Sequence, residues 1–228
     1  MIAAYTARWA PRDDRTVIFF PPALSLTTVV HALGNRTDIA VGVQNIWTED
    51  KGAFTGESSA PMARDAGATY ALVGHSERRH VFGETDAQTA KKCAAAVRNA
   101  LVPMLCVGEL LSEREAGATH SVCLRQLSAG LSELTDDQVA EMAIAYEPVW
   151  AIGTGKTATP QDASDVHQAI RGALRERMGT RAEGVPILYG GSVNAGNASA
   201  LLAAVHVDGL LVGGASLDAV GWASICEA

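Results

Sequence analysis

The chain has 228 residues, of which 48% are hydrophobic, 19% charged and 5% aromatic, and it carries a formal net charge of −7. That makeup buries a sizeable core, which excludes disorder, and the length suits one α/β domain across residues 1–228. The acidic balance, with no Lys/Arg run longer than two residues, argues against nucleic acid or an anionic membrane as partner, and no apolar run approaches the ~20 residues of a membrane helix.

In chain order, short apolar runs end in small or polar residues, and a helical stretch follows each. The runs are Thr16–Phe20, Ile39–Val43, Tyr70–Gly74, Val102–Val107, Met142–Tyr146, Val185–Tyr189 and Gly209–Gly213. Continuous apolar runs without polar alternation predict parallel strands covered on both faces. Ser76-Glu77-Arg78-Arg79 reads as a helix start, and Leu124, Leu127, Leu131 and Leu134 form an apolar helical stripe. Thr159-Pro160-Gln161-Asp162 reads as a capped helix start, with Val166, Ile170, Leu174 and Met178 on one face and Gly179 as the stop. Repeated βα units predict a parallel sheet, open or closed into a barrel. Cys93, Cys106, Cys123 and Cys226 form no CxxC pair and sit in apolar segments, which reads as reduced, buried thiols of a cytoplasmic protein. The N-terminal residues 1–8 do not have the pattern of a signal peptide.

In such sheets ligands bind beyond the carboxyl ends of the strands. Two nucleotide-like patterns there fail. Gly153-Thr154-Gly155-Lys156-Thr157 resembles the tail of a P-loop, but Trp150 stands where its first glycine belongs. Gly153-x-Gly155-x-x-Ala158 is separated from its strand by Pro148-Val149-Trp150, and the next strand ends without the acid that would hold a ribose.

What remains is an acid–base pair and a set of glycine loops. Glu147 follows a strand and precedes the stiff, apolar Pro148-Val149-Trp150, surroundings that desolvate a carboxylate toward the range of a useful base. His75 ends another strand at a helix start, where the helix dipole disfavours imidazolium and is expected to hold the ring neutral. Gly153-Thr154-Gly155, Gly190-Gly191-Ser192 and Gly213-Gly214 offer backbone amides from three loops. Clustered amides bind phosphate without a cationic side chain, and the last two loops follow the final two strands, where barrels place a phosphate site. The loop from Trp47 to Pro61 is long, and its tip, with Phe54 and Thr55, has no evident partner inside one barrel.

These segments together resemble the triosephosphate isomerase family. Gly74-His75-Ser76-Glu77-Arg78-Arg79 resembles its histidine motif, and Ala145 through Lys156 its glutamate and lid signature. Tyr189-Gly190-Gly191-Ser192-Val193-Asn194 and Asp208 through Ser216 resemble its two phosphate loops, while Cys106-Val107-Gly108-Glu109 and Gly52 through Glu57 also match. The resemblance spans the chain in order. It implies a (β/α)8 barrel that interconverts dihydroxyacetone phosphate and glyceraldehyde 3-phosphate in glycolysis and gluconeogenesis, with no metal or organic cofactor. It implies Glu147 as the base, His75 as the neutral electrophile, and Gly153, Ser192, Gly213 and Gly214 around the phosphate. Glu77, Ser76, Tyr189 and Cys106 support them. Pro148, Val149, Trp150, Ala151, Ile152, Gly153, Thr154, Gly155, Lys156, Thr157 and Ala158 form a closing lid, latched by Tyr189 and Ser192. A homodimer forms through residues 47–61, with Phe54 and Thr55 toward the partner.

The family's first strand, with its Asn-Trp-Lys signature, has no counterpart here. Met1 to Trp9 resembles the end of that family's first helix, so the expected barrel lacks its first strand, and Lys51, Lys91, Lys92 and Lys156 do not read as substitutes for the lost lysine. Two other readings stay open: an isomerase of a related tetrulose phosphate, and an impaired barrel that only binds phosphate.

Overall fold

The computed structural model describes residues 1–152 and 157–228. Among these residues seven strands form one parallel sheet: β1 (Val17–Phe19), β2 (Ile39–Val43), β3 (Tyr70–Val73), β4 (Val102–Val107), β5 (Ala143–Tyr146), β6 (Ile187–Tyr189) and β7 (Gly209–Leu210). Each lies inside an apolar run of the sequence. Every strand pairs in parallel with its successor in the chain, so Val73 stands opposite Leu105, Cys106 opposite Ala145 and Tyr146 opposite Tyr189. β1 and β7 are the two edges.

Alternation along the strands explains the curl. Leu105, Val107, Ile144 and Tyr146 pack outward against helix residues such as Leu127, Val166 and Ile170. Their neighbours Leu72, Met104, Cys106, Ala143 and Ala145 form a cluster of strand residues alone, flanked by Ile18, Phe20, Leu188 and Leu211. A sheet face that covers itself from β1 round to Leu211 is a sheet rolled toward a barrel. With helices on one face and the sheet itself on the other, both faces are apolar, hence the missing polar alternation.

The helices follow their local signals. In Pro160–Met178, Thr159 and Asp162 form a reciprocal capping box, with Asp162 N–H donating to Thr159 Oγ1 at 3.1 Å and Thr159 N–H to Asp162 Oδ2 at 2.8 Å. Val166, Ile170, Leu174 and Met178 are buried, and Gly179 leaves the helix at φ +64°. Leu127, Leu131 and Leu134 are buried and Leu124 is partly so. β6 starts at Ile187, later than its apolar run and directly after Pro186, which has no N–H to pair, while the buried Arg171 guanidinium takes the Val185 carbonyl at 2.6 Å. Among the described residues no helix is long and apolar enough to cross a membrane.

One expectation needs correction. The Phe54 ring has a partner in its own chain: it lies on Trp47, with centroids 5.4 Å apart, and stays 39% exposed. The loop folds back on itself, with Trp47 N–H bonded to the Ser58 carbonyl at 2.8 Å, and Thr55 is exposed at its tip.

Candidate active site

Seventy-one residues separate Ser76 from Glu147, yet β3 and β5 deliver them to the same rim of the sheet. The helix Ser76–His80 begins directly after β3, and its first amides have no partner within so short a helix. The Glu147 carboxylate takes one of them. Ser76 N–H donates to Oε2 at 2.9 Å and the Ser76 hydroxyl to Oε1 at 3.2 Å. His75 Nε2 lies 2.9 Å from Oε1, and Glu147 is only 2% exposed. A buried carboxylate with three donors is satisfied, and it has somewhere to rest when no other ligand is near.

His75 caps the same helix. Its Nδ1 accepts the Glu77 amide at 3.4 Å, so Nδ1 is unprotonated and the ring proton sits on Nε2, facing Glu147. The expectation of a ring held neutral by the helix dipole is overturned in direction, because the pKa moves the other way. Burial lowers it, the hydrogen bond and charge of Glu147 and the nearby Glu77 and Glu84 raise it, and the net shift is upward. A five-residue helix contributes too little dipole to compete with a carboxylate at 2.9 Å.

The other expected residues lie along the neighbouring strands and the loops beyond them. Burial pushes the Cys106 thiol well above its ordinary value, and the neighbouring Glu147 carboxylate pushes further the same way. Glu77 keeps its carboxylate in solvent, 73% exposed and 4.0 Å from His75 Nδ1, and meets the ring both by that charge and by its backbone amide. Ser192 donates its hydroxyl to the Ala151 carbonyl at 2.5 Å, which ties the loop after β6 to the segment after β5. The Tyr189 hydroxyl is buried, its pKa pushed up to about 12 by burial while a hydrogen bond with the Ala158 backbone pulls it down. Gly213 and Gly214 sit exposed just past β7, with open space around them. Pro148, Val149, Trp150, Ala151 and Ile152 leave β5 through a turn of 3₁₀ helix, and Thr157 and Ala158 lead into the next helix cap. Gly153, Thr154, Gly155 and Lys156 lie outside the described residues.

Two acidic residues matter here that the sequence did not single out. Glu109, fully buried after β4, accepts the Trp150 indole N–H at 2.9 Å and the Tyr146 hydroxyl at 3.2 Å, so a carboxylate anchors the start of the segment after Glu147. Its place in Cys106-Val107-Gly108-Glu109 was the available signal. Glu84 is buried behind His75 with Lys92, which nothing local announces. Lys92 comes close to the strand ends, donating to Asn45 Oδ1 at 2.6 Å, but Glu84 already holds its charge. Lys51 and Lys91 are exposed. Among the described residues no three His, Cys, Asp or Glu side chains group closely enough to hold a metal ion.

The sequence model of the family described as Triosephosphate isomerase matches residues 1–228. A triosephosphate isomerase from Moorella thermoacetica is 52% identical over 209 residues, 92% of this chain and 84% of that protein. One from Hydrogenovibrio crunogenus is 50% identical over 229 residues, 100% of this chain and 90% of that protein. The crystal structure of triosephosphate isomerase from Bartonella henselae superposes with a TM-score of 0.89 at 39% identity, covering 99% of this chain and 90% of that one.

Proposed function

The chain belongs to the triosephosphate isomerase family of enzymes, and from that premise we propose that Glu147 and His75 interconvert dihydroxyacetone phosphate and glyceraldehyde 3-phosphate. The observation that carries the reading is the meeting of two groups from separate strands, a buried carboxylate and an Nε2–H imidazole, 2.9 Å apart at one rim. A proton shift between adjacent carbons needs a base over the carbon and a donor at the carbonyl oxygen. Glu147 supplies the first and His75 Nε2–H the second, through an enediolate-like intermediate.

Substrate phosphate sits on the amides of Gly153, Gly213 and Gly214 and on Ser192. Without substrate, Glu147 rests on Ser76 and His75. When it turns to the substrate carbon, His75 loses the hydrogen bond to Glu147 that raises its pKa, while burial, the largest influence on the ring, continues to lower it. Residues 148–158 move with Glu147 as a lid, excluding water that would protonate the intermediate. The bonds that Ala151 and Trp150 make to Ser192 and Glu109 bear on that motion. Tyr189 and Ser192 latch the lid, and the reaction serves glycolysis and gluconeogenesis in the cytoplasm.

Glu147→Gln removes the base but keeps the shape. Turnover is expected to fall about a thousandfold, with binding of a triose phosphate analogue unchanged; a loss below tenfold refutes the assignment. The exposed tip of loop 47–61, with Phe54 and Thr55, docks on a second copy of the chain. Sedimentation of active protein at micromolar concentration is expected to give the mass of two chains, and a one-chain mass refutes the dimer.

A further inference from the structure

The reaction as proposed uses Glu147 and His75 and leaves a second buried ionic group behind them unexplained. Glu84 and Lys92 form an ion pair whose side chains are 2% and 1% exposed. A buried pair of this kind gains little net stability, because desolvation offsets the attraction, so its presence calls for another reason. The remaining contacts supply one. The Gly74 N–H donates to Glu84 Oε1 at 2.9 Å, across ten residues of chain. The Gly74 carbonyl accepts Arg79 Nε at 2.8 Å, and Arg79 is held in turn by Asp86 at 2.8 Å and the Cys106 carbonyl at 3.1 Å. Gly74 therefore has both its backbone groups gripped by buried or nearly buried ionic side chains. It is also the left-handed residue, at φ +70°, that turns the chain from β3 into His75.

We propose that Glu84 is a positioning residue for His75. Its carboxylate, held by Lys92, fixes the Gly74 peptide and thereby the direction in which the imidazole leaves the strand. Lys92 extends the hold to Asn45, just after β2, so the position of His75 is referred to two strands instead of one. The proposal rests on the catalytic reading of His75 given above. It adds that the ring is aimed by a peptide whose N–H acceptor comes from the loop beyond the following helix.

Two double variants separate the acceptor from the ion pair. Glu84→Gln with Lys92→Met removes both charges and keeps an oxygen for Gly74 N–H. Glu84→Leu with Lys92→Met removes both charges and the acceptor. Replacing the buried pair leaves only Arg78, which also meets Glu84 at 3.3 Å, without that partner, and Arg78 is 27% exposed to solvent, so both are expected to fold. The Leu/Met protein is expected to lose at least tenfold in kcat relative to the Gln/Met protein, with KM within threefold. Equal kcat in the two overturns the proposal. A second measurement does not depend on the Leu/Met protein folding. In Glu84→Gln alone, the weaker amide acceptor is expected to shift the Gly74 amide proton upfield in NMR spectra, and the His75 ring nitrogens shift with it. A Gly74 shift without a His75 shift also overturns the proposal. His75→Asn in the parent chain tests the catalytic reading separately. If that variant loses less than tenfold, the reading of His75 fails while the ring-nitrogen measurement still decides the clamp.

Discussion

Gly108→Ala adds a single methyl group at the end of β4, yet it strikes the backbone that carries the proposed base. The new Cβ would stand 1.8 Å from the Glu147 carbonyl oxygen, 2.7 Å from its carbonyl carbon and 3.3 Å from its Cα, where ordinary contact begins near 3.4 Å. No rotamer relieves a clash with main chain, so the ends of β4 and β5 must part by about 1.6 Å. Gly108 cannot yield, because the buried Gln126 side chain grips it on both sides, accepting its N–H at 2.7 Å and donating to its carbonyl at 3.0 Å. Glu147 must move instead, stretching the bond of 2.8 Å from its N–H to the Val107 carbonyl. Overpacking costs about 1–3 kcal/mol and the lost hydrogen bond about 1 kcal/mol, so destabilisation of about 2–4 kcal/mol is expected. Displacing a reacting group by an ångström costs about a hundredfold in rate, so kcat/KM is expected to fall by about that factor. Urea unfolding and steady-state isomerase assays measure the two effects. A Gly108→Ala protein with parental unfolding midpoint and kcat/KM within threefold refutes the reasoning, because the strand ends would then be soft where the hydrogen bonds say they are stiff.

Gly172→Ala is the contrasting case. The site is inside the helix Pro160–Met178 with nothing within 4 Å of an added Cβ, so stability is expected to rise by about 0.5–1 kcal/mol with activity unchanged, read by the same assays. His167 sets a pH dependence: it is fully buried, its Nδ1 lies 2.9 Å from the His206 carbonyl, Nε2 has no hydrogen-bond partner among the described residues, and burial lowers its pKa from 6.5 to about 4. The unfolded chain takes up this proton below about 6.5 and the folded chain only near 4, so its contribution to stability is complete above 6.5 and lost as pH falls to 4. The loss is about 3 kcal/mol, and His167→Gln is expected to flatten that part of the unfolding profile; an unchanged profile refutes the assignment.

The local elements of this protein were legible in its residues because their causes are local. Seven apolar runs became seven strands, since a strand covered on both faces must be apolar throughout. Thr159, Pro160 and Asp162 announced a helix start because a cap closes within three residues. Glu147, His75, Ser192 and the glycine pairs could be singled out as candidates because strand ends are where such sheets bind ligands, and strand ends can be read one run at a time.

Pairing across the sheet was not legible. Glu77 and Glu84 are both acids in the stretch after β3, yet one is 73% exposed and the other 2%, and only the arrival of Lys92, which also reaches Asn45 beyond β2, distinguishes the buried one. Glu147 resting on Ser76, Glu109 holding Trp150 and Phe54 lying on Trp47 are likewise products of where chain segments arrive, not of the residues beside them. The direction of the His75 shift followed the same rule. The helix start that argued for a neutral ring is adjacent in sequence, while the carboxylate that outweighs it comes from β5, brought within 2.9 Å by tertiary structure alone. Electrostatic interaction depends on distance through space and on exclusion of water, and neither is encoded in any short stretch of chain.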